Sequence, residues 1–381
     1  MFVFPCGRAP ACFLLVLLGV LSCLHVAASR PVPAAGLHRP PDGVSWRSFE
    51  HLHDARRGSR VAGLADLKRY LERFGYMQPP RPAHEHDDVF DEHMEAAVRR
   101  YQSSLSLPVT GRLDSSTLGR IMTKRCGMAD GDGMFVTVSL SAEAAAAGTG
   151  SRFTFLDDQP RWTRTRPHPR VLTYAVSPTA TVGGYLPPEA VRAAFRSAFA
   201  RWARVIPVEF VETDYDHGKP DIMVGFYEGD HGDGSPFDGR YGELAHAYAS
   251  EDGHIHFDAA EHWSVDVGGS DTDTGDSAVD LETVATHEIG HILGLGHSSS
   301  PEAIMYPYID AMRRKVELSA DDIDGVLLLY GSNPRFRHEQ TREHHAPPRS
   351  VPSVSPGRSS WHAGSVSLVC IVLVMLVTLV K

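Results

Sequence analysis

From Val61 to Arg125 apolar residues return every three or four positions. LADLKRYLERFGYM places Leu64, Leu67, Leu71 and Phe74 on one helical face, and FDEHMEAAVRRYQSSLSL does the same with Met94, Ala97, Val98, Tyr101 and Leu105. VTGRLDSSTLGRIM adds a turn, a cap at Asp114 or Ser115, and a third short helix. The pattern predicts a small three-helix domain over about 60–125 that closes at KRCGMAD, residues 124–130. Beyond it the period changes. VLTYAV (171–176), VEFVE (208–212) and DIMVGF (221–226) are short runs of strand type. PPEAVRAAFRSAFARWARV buries Val191, Phe195, Ala198, Phe199 and Trp202 along one stripe. A helix is expected to start near Val284, and SADDIDGVLLLYG (319–331) is a last helix, capped by Ser319 with acids in its first turn.

The flanking segments lack such periods. Residues 1–29 have one Arg, an apolar core from about Ala11 to Val26, and then Ala27, Ala28 and Ser29, which is signal-peptide grammar. Residues 30–55 are rich in Pro, Gly and His and are expected to be poorly ordered, whereas 131–150 are small residues expected to form an exposed, protease-accessible connector. Residues 333–365 have the composition of a stalk. The apolar run at 366–381 is short for a spanning helix and follows a polar, small-residue stretch, which favours a glycolipid anchor signal over a transmembrane helix.

With 37 basic and 47 acidic residues the net charge is −10, which argues against nucleic acid as a partner. Four of the five cysteines, Cys6, Cys12, Cys23 and Cys370, lie in the two terminal apolar segments. Cys126 in KRCGMAD is thereby left without a thiol to pair with.

The strongest chemical signal is VATHEIGHILGLGHSSS (284–300). His287 and His291, four apart on a helix, project from one face and can grip one metal ion, with Glu288 placed to act on metal-bound water. Gly294 and Gly296 let the chain turn back and deliver His297 as a third ligand. Three neutral nitrogens leave zinc a fourth position for water, the open arrangement of a catalytic site. Met305, eight residues past His297, completes the metzincin pattern, in which a methionine turn forms an apolar floor under the histidines.

The chain resembles the matrixins, or matrix metalloproteinases: Ser298 after the third histidine is their choice, and their pro-regions end in a PRCGxPD-like motif that KRCGMAD follows at Arg125, Cys126, Gly127 and Asp130. The resemblance implies that Cys126 ligates the catalytic zinc in a latent zymogen, within a switch loop containing Arg125 and Asp130. Lys124 and Ala129 stand where the family usually has prolines, which predicts a looser loop. It also implies an α/β (α+β) catalytic domain over 151–332, with a twisted, mostly parallel sheet and three helices. The nearest likeness is to plant-type matrixins without a propeller domain.

By the same resemblance His231, Asp233, His246 and His256 hold a structural zinc, with His254 competing with His256. Asp238, Asp258 and Glu261, with backbone carbonyls around Gly239, Tyr241 and Glu243, resemble a calcium site, although Tyr241 replaces a usual glycine and Ala259 a usual aspartate. LAHAYA is implied as the sheet edge that pairs with an extended peptide substrate, and the loop from Pro307 to Val316 as the wall of a subsite. The acidic run SDTDTGDSAVD and the remaining histidines read as solvated surface. These expectations describe a secreted, surface-anchored, monomeric zinc endopeptidase made as a zymogen. A zinc-stabilised binding module is the rival, and retention of Glu288 and Cys126 speaks against it.

Overall fold

The computed structural model describes residues 46–79, 86–130, 152–162, 170–177, 186–215, 218–267 and 278–335. The signal segment, the connector, the C-terminal anchor segment and the stalk beyond residue 335 lie outside them.

The N-terminal region contains a 3₁₀ helix, Trp46–Leu52, followed by α1 (Leu64–Arg73), α2 (Glu92–Ser104) and α3 (Ser115–Ile121). The expected poor order does not extend to the 3₁₀ helix: Phe49 and Leu52 are fully buried against α1, α2 and α3 residues such as Leu67, Met94 and Leu118. Two apolar side chains suffice to order a His-rich stretch once a helical core exists to receive them. Asp91 caps α2 by accepting from the Met94 N–H at 2.8 Å, and Asp114 caps α3 by accepting from Thr117 N–H at 2.9 Å. Asp114, not Ser115, is therefore the cap.

The larger core lies under a five-stranded sheet ordered β3-β2-β4-β6-β5, built from β2 (Arg170–Val176), β3 (Val208–Glu212), β4 (Ile222–Tyr227), β5 (Ala245–Tyr248) and β6 (His254–Asp258). Every pairing is parallel except β5 on β6, so the one antiparallel strand stands at an edge. Parallel neighbours need a crossover, and α4 (Pro188–Val205) supplies it between β2 and β3. Its predicted stripe is the buried one, from Val191 to Trp202. The Trp202 indole then donates to the Thr286 carbonyl at 2.9 Å, tying α4 to α5 (Leu281–Ile292). The last helix, α6 (Ala320–Tyr330), opens with a Ser319–Asp322 capping box. Small pairs complete the unit: β1 (Phe153–Phe155) with β9 (Leu295–Ser298), and β7 (Trp263–Ser264) with β8 (Val279–Asp280).

Candidate active site

α5 starts at Leu281, three residues before the expected Val284, because Asp280 accepts from the Thr283 N–H at 2.8 Å. Asp280 ends the acidic run expected to be solvated, yet it is fully buried; residues 270–277 of that run lie outside the described residues. Every residue of α5 is buried, including His287, Glu288 and His291. The helix gives way at Gly294, where φ is +97° and a Cβ would lie 2.2 Å from the Pro160 carbonyl oxygen. The chain returns as β9, paired antiparallel with β1, and that ladder carries His297 back to the other two imidazoles.

Three hydrogen bonds set the rings. His287 Nδ1–H donates to the Ile304 carbonyl at 2.7 Å, His291 Nδ1–H to the Leu295 carbonyl at 2.8 Å, and His297 Nδ1–H to Asp130 Oδ1 at 2.7 Å. With Nδ1 protonated, each Nε2 presents a lone pair. Those of His287 and His291 are 3.1 Å apart, Cys126 Sγ is 3.4 Å from His291 Nε2, and His297 Nε2 has no hydrogen-bond partner among the described residues. One ligand atom from each of Cys126, His287, His291 and His297 lies within 4.8 Å of the others. Burial, then the neighbouring imidazoles, push the histidines toward neutrality, His291 down to about 3. Buried neutral lone pairs aimed at one another repel unless a cation lies between them, and a nitrogen and sulfur donor set suits zinc. The residues fit the metal.

Glu288 is fully buried, and neither carboxylate oxygen has a hydrogen-bond partner among the described residues. Burial pushes its carboxyl up to about 8. Met305 packs against α5: a Cβ on Gly290 would meet its sulfur at 2.2 Å. Asp322 was not expected here. Its carboxylate accepts from the Ile304 and Met305 N–H groups at 2.8 and 3.0 Å, fixing the turn whose carbonyl orients His287. In the sequence it signals only a helix cap.

The 124–130 segment runs between residues 242–245, which lead into β5, and residues 307–309. Arg125 N–H donates to the Gly242 carbonyl, Leu244 N–H to the Arg125 carbonyl and Gly127 N–H to the Ala245 carbonyl, at 2.8–3.0 Å, so the segment lies parallel to β5. On its other side Cys126 N–H donates to the Pro307 carbonyl and Ile309 N–H to the Lys124 carbonyl. The buried Asp130 carboxylate binds the Arg125 guanidinium at 2.8 Å, accepts from the Tyr76 hydroxyl at 2.6 Å, and holds His297. Against the upward push of burial, Arg125 and His297 keep this carboxyl well below the usual range. Gly127 is obligatory, since a Cβ would fall 1.7 Å from Glu243 Oε1. The predicted looseness at Lys124 is not observed: its side chain is buried and ion-paired to Glu261. Tyr308, on the expected subsite wall, is buried in the helical core, 2.8 Å from the Tyr101 hydroxyl.

The second cluster also closes. Asp233 Oδ2 is 2.8 Å from His231 Nε2, 2.9 Å from His246 Nε2 and 2.8 Å from His256 Nδ1, and all four ligand atoms lie within 4.8 Å of one another. His231 Nδ1–H is used on the Gly229 carbonyl. Burial lowers His256 to about 4, and three imidazole nitrogens and a carboxylate face one point, a closed four-ligand set of zinc type. His254, turned toward Asp252, takes no part in the group.

Asp238 and Asp258 are drawn near Glu261, and burial first, then mutual repulsion, raises Asp258 to about 7. Tyr241 adopts a left-handed φ of +74°, a conformation costing a non-glycine residue about 1–2 kcal/mol. Its N–H donates to Glu261 Oε1 at 2.5 Å. The Glu243 side chain points elsewhere, pairing with Arg73 and accepting from His246 Nδ1–H at 2.7 Å.

A parallel-sheet domain with an H-E-x-x-H helix and a third histidine brought in by a return strand defines a metallopeptidase. The matrixin family profile matches residues 161–331, and a peptidoglycan-binding-like domain profile matches 60–121. The chain is 47% identical over 295 residues to Metalloendoproteinase 1-MMP of Arabidopsis thaliana, covering 77% of this chain and 76% of that one. It is 40% identical over 320 residues to Metalloendoproteinase 1 of Glycine max (84% and 97%), and 33% identical over 274 residues to human Matrix metalloproteinase-20 (70% and 48%). The chain belongs to the matrixin family and is a metalloendopeptidase with a helical pro-domain-like region.

Proposed function

We propose that this protein is a latent zinc endopeptidase of the cell exterior, held inactive by Cys126 and acting through Glu288. The observation that carries the reading is the convergence of Cys126 Sγ with the three Nε2 atoms beside an unpartnered Glu288. Zinc held by His287, His291 and His297 supplies Lewis-acid chemistry and lowers the pKa of water to about 7. Once Cys126 has left, Glu288 takes the proton of the attacking water and delivers it to the leaving amine. An extended substrate pairs along β5, the edge that residues 125–127 occupy in the latent chain. His231, Asp233, His246 and His256 hold a second, structural zinc, and Asp238, Asp258 and Glu261 with the Gly239–Glu243 backbone hold calcium.

The chain divides accordingly into a signal peptide (1–29), a pro-region (30–150) with its switch at 124–130, the catalytic domain (151–332), a stalk (333–365) and an anchor signal (366–381). It works as a monomer, tethered by a glycolipid. Among the described residues no helix is long and apolar enough to cross a membrane. Release from cells by a phosphatidylinositol-specific phospholipase C tests the tether. Peptide cleavage by the activated chain, with and without a zinc chelator and with Glu288→Ala, tests the chemistry. Activity surviving Glu288→Ala refutes the proton-transfer role; none in the unmodified, zinc-loaded chain favours a binding module.

A further inference from the structure

The carboxylates assigned above to calcium already contain a cation, and it comes from the pro-region. Lys124 is 7% exposed; its ammonium pairs with Glu261 and lies 5.0 Å from the centroid of the Tyr241 ring. Two of the positions where this chain departs from the matrixin pattern, Lys124 for proline and Tyr241 for glycine, therefore meet over the same carboxylate. One ammonium does not satisfy the group. Asp258 is fully buried with Oδ2 unpartnered among the described residues, and Asp238 Oδ2 is unpartnered too. Calcium takes six to eight oxygens at about 2.3–2.6 Å and would need Glu261 among them. An ammonium hydrogen-bonded to that carboxylate blocks its lone pairs and repels a second cation at close range.

We propose that Lys124 is a built-in competitor for calcium, weakening calcium binding in the latent chain and coupling calcium to release of the switch segment. Lys124 is two residues from Cys126, and its carbonyl receives the Ile309 N–H. Displacing its side chain therefore loosens the strand that presents the thiol. Linkage requires the converse: calcium bound at the carboxylates favours departure of the segment, and departure favours calcium. The proposal rests on the calcium reading above.

The test uses the full-length, zinc-loaded latent chain with terbium as a calcium probe. Trp263, whose indole donates to the Asp258 carbonyl at 2.8 Å, serves as the sensitiser. Lys124→Met should bind calcium, read by displacement of terbium luminescence, about 5–150-fold more tightly than the unmodified chain, with Lys124→Arg near the unmodified value. In the unmodified chain calcium should speed alkylation of Cys126, read on the Cys126 peptide by mass spectrometry, a measurement that stands even if Lys124→Met folds poorly. Equal calcium affinity in all three chains, or calcium binding without change at Cys126, overturns the role of Lys124. Terbium and calcium binding to none of them instead defeats the calcium reading itself.

Discussion

Asp130→Asn is the sharpest perturbation of the proposed latch. The carboxylate and the Arg125 guanidinium are each 2% exposed and 2.8 Å apart, so the substitution leaves a buried, uncompensated cation without removing volume. Breaking a buried pair from one side costs about 3–5 kcal/mol. Once the segment leaves its groove both groups reach water, so the loss falls on docking rather than on folding of the larger unit. At about 1.4 kcal/mol per tenfold, the population with Cys126 exposed should rise by about 10²-fold to a few thousandfold. The assay is the rate at which a thiol reagent labels Cys126 in the latent chain, followed on its peptide by mass spectrometry. Tyr76→Phe removes only a hydroxyl bond to the same carboxylate, and its effect should be smaller, about 1 kcal/mol and therefore about fivefold. Replacing both members of the pair, with Arg125→Met added to Asp130→Asn, should recover part of the loss because no bare charge remains. Labelling of Asp130→Asn within a fewfold of the unmodified chain would refute the view that this pair holds the thiol in place.

Glu288→Gln should lower turnover by about 10²- to 10⁴-fold while zinc content by atomic absorption stays unchanged. Gly127→Ala drives a Cβ into Glu243 and should speed Cys126 labelling without altering cleavage by the processed enzyme. His246→Ala should remove one of two zinc equivalents and lower the melting temperature, since a three-ligand remnant of the second cluster holds metal poorly. Asp114→Ala removes a helix cap worth about 1 kcal/mol from a half-buried position. Against the upward push of burial, hydrogen bonds from Ser116, Thr110 and Thr117 hold Asp114 down at about 2. Its stabilisation is therefore full above the unfolded carboxylate value and lost as pH falls through 2, so the melting difference between Asp114→Ala and the unmodified chain should shrink between about pH 4 and 2.

The helices and the convergence of the three histidines were legible because local rules encode them. Periodicity marks α1, α2 and α4, capping marks α6, and the i,i+4 spacing on α5 fixes His287 and His291 before any fold is known. The 3₁₀ helix was missed because its few apolar residues, Phe49 and Leu52 among them, lie in a polar, His-rich run and their burial depends on a core formed elsewhere. The roles of Asp322 and Asp280 were missed for a related reason. An acidic residue near a helix start reads as a cap or as solvated, and only the fold shows Asp322 reaching the Ile304–Met305 turn. Lys124 was misjudged because the loss of a proline speaks about backbone stiffness, whereas its gain is a charge whose partner, Glu261, lies 137 residues away.

The three histidines of the catalytic centre are not held alike, and the difference bears on how latency could end. His287 and His291 use Nδ1 on the carbonyls of Ile304 and Leu295, on the catalytic side of the proposed division. His297 uses Nδ1 on Asp130, which on that proposal would leave with the pro-region. The second cluster shows the same asymmetry: His246 Nδ1 rests on Glu243, and Glu243 in turn is paired with Arg73 of α1. An imidazole that loses the acceptor on one nitrogen changes both its orientation and the basicity of the other. If the pro-region is removed as proposed, more than a sulfur atom is withdrawn. One histidine of the first cluster would lose its outer partner Asp130, and Glu243, which holds His246 in the second, would lose its charge partner Arg73, so the proposed latent and processed forms would differ at both clusters.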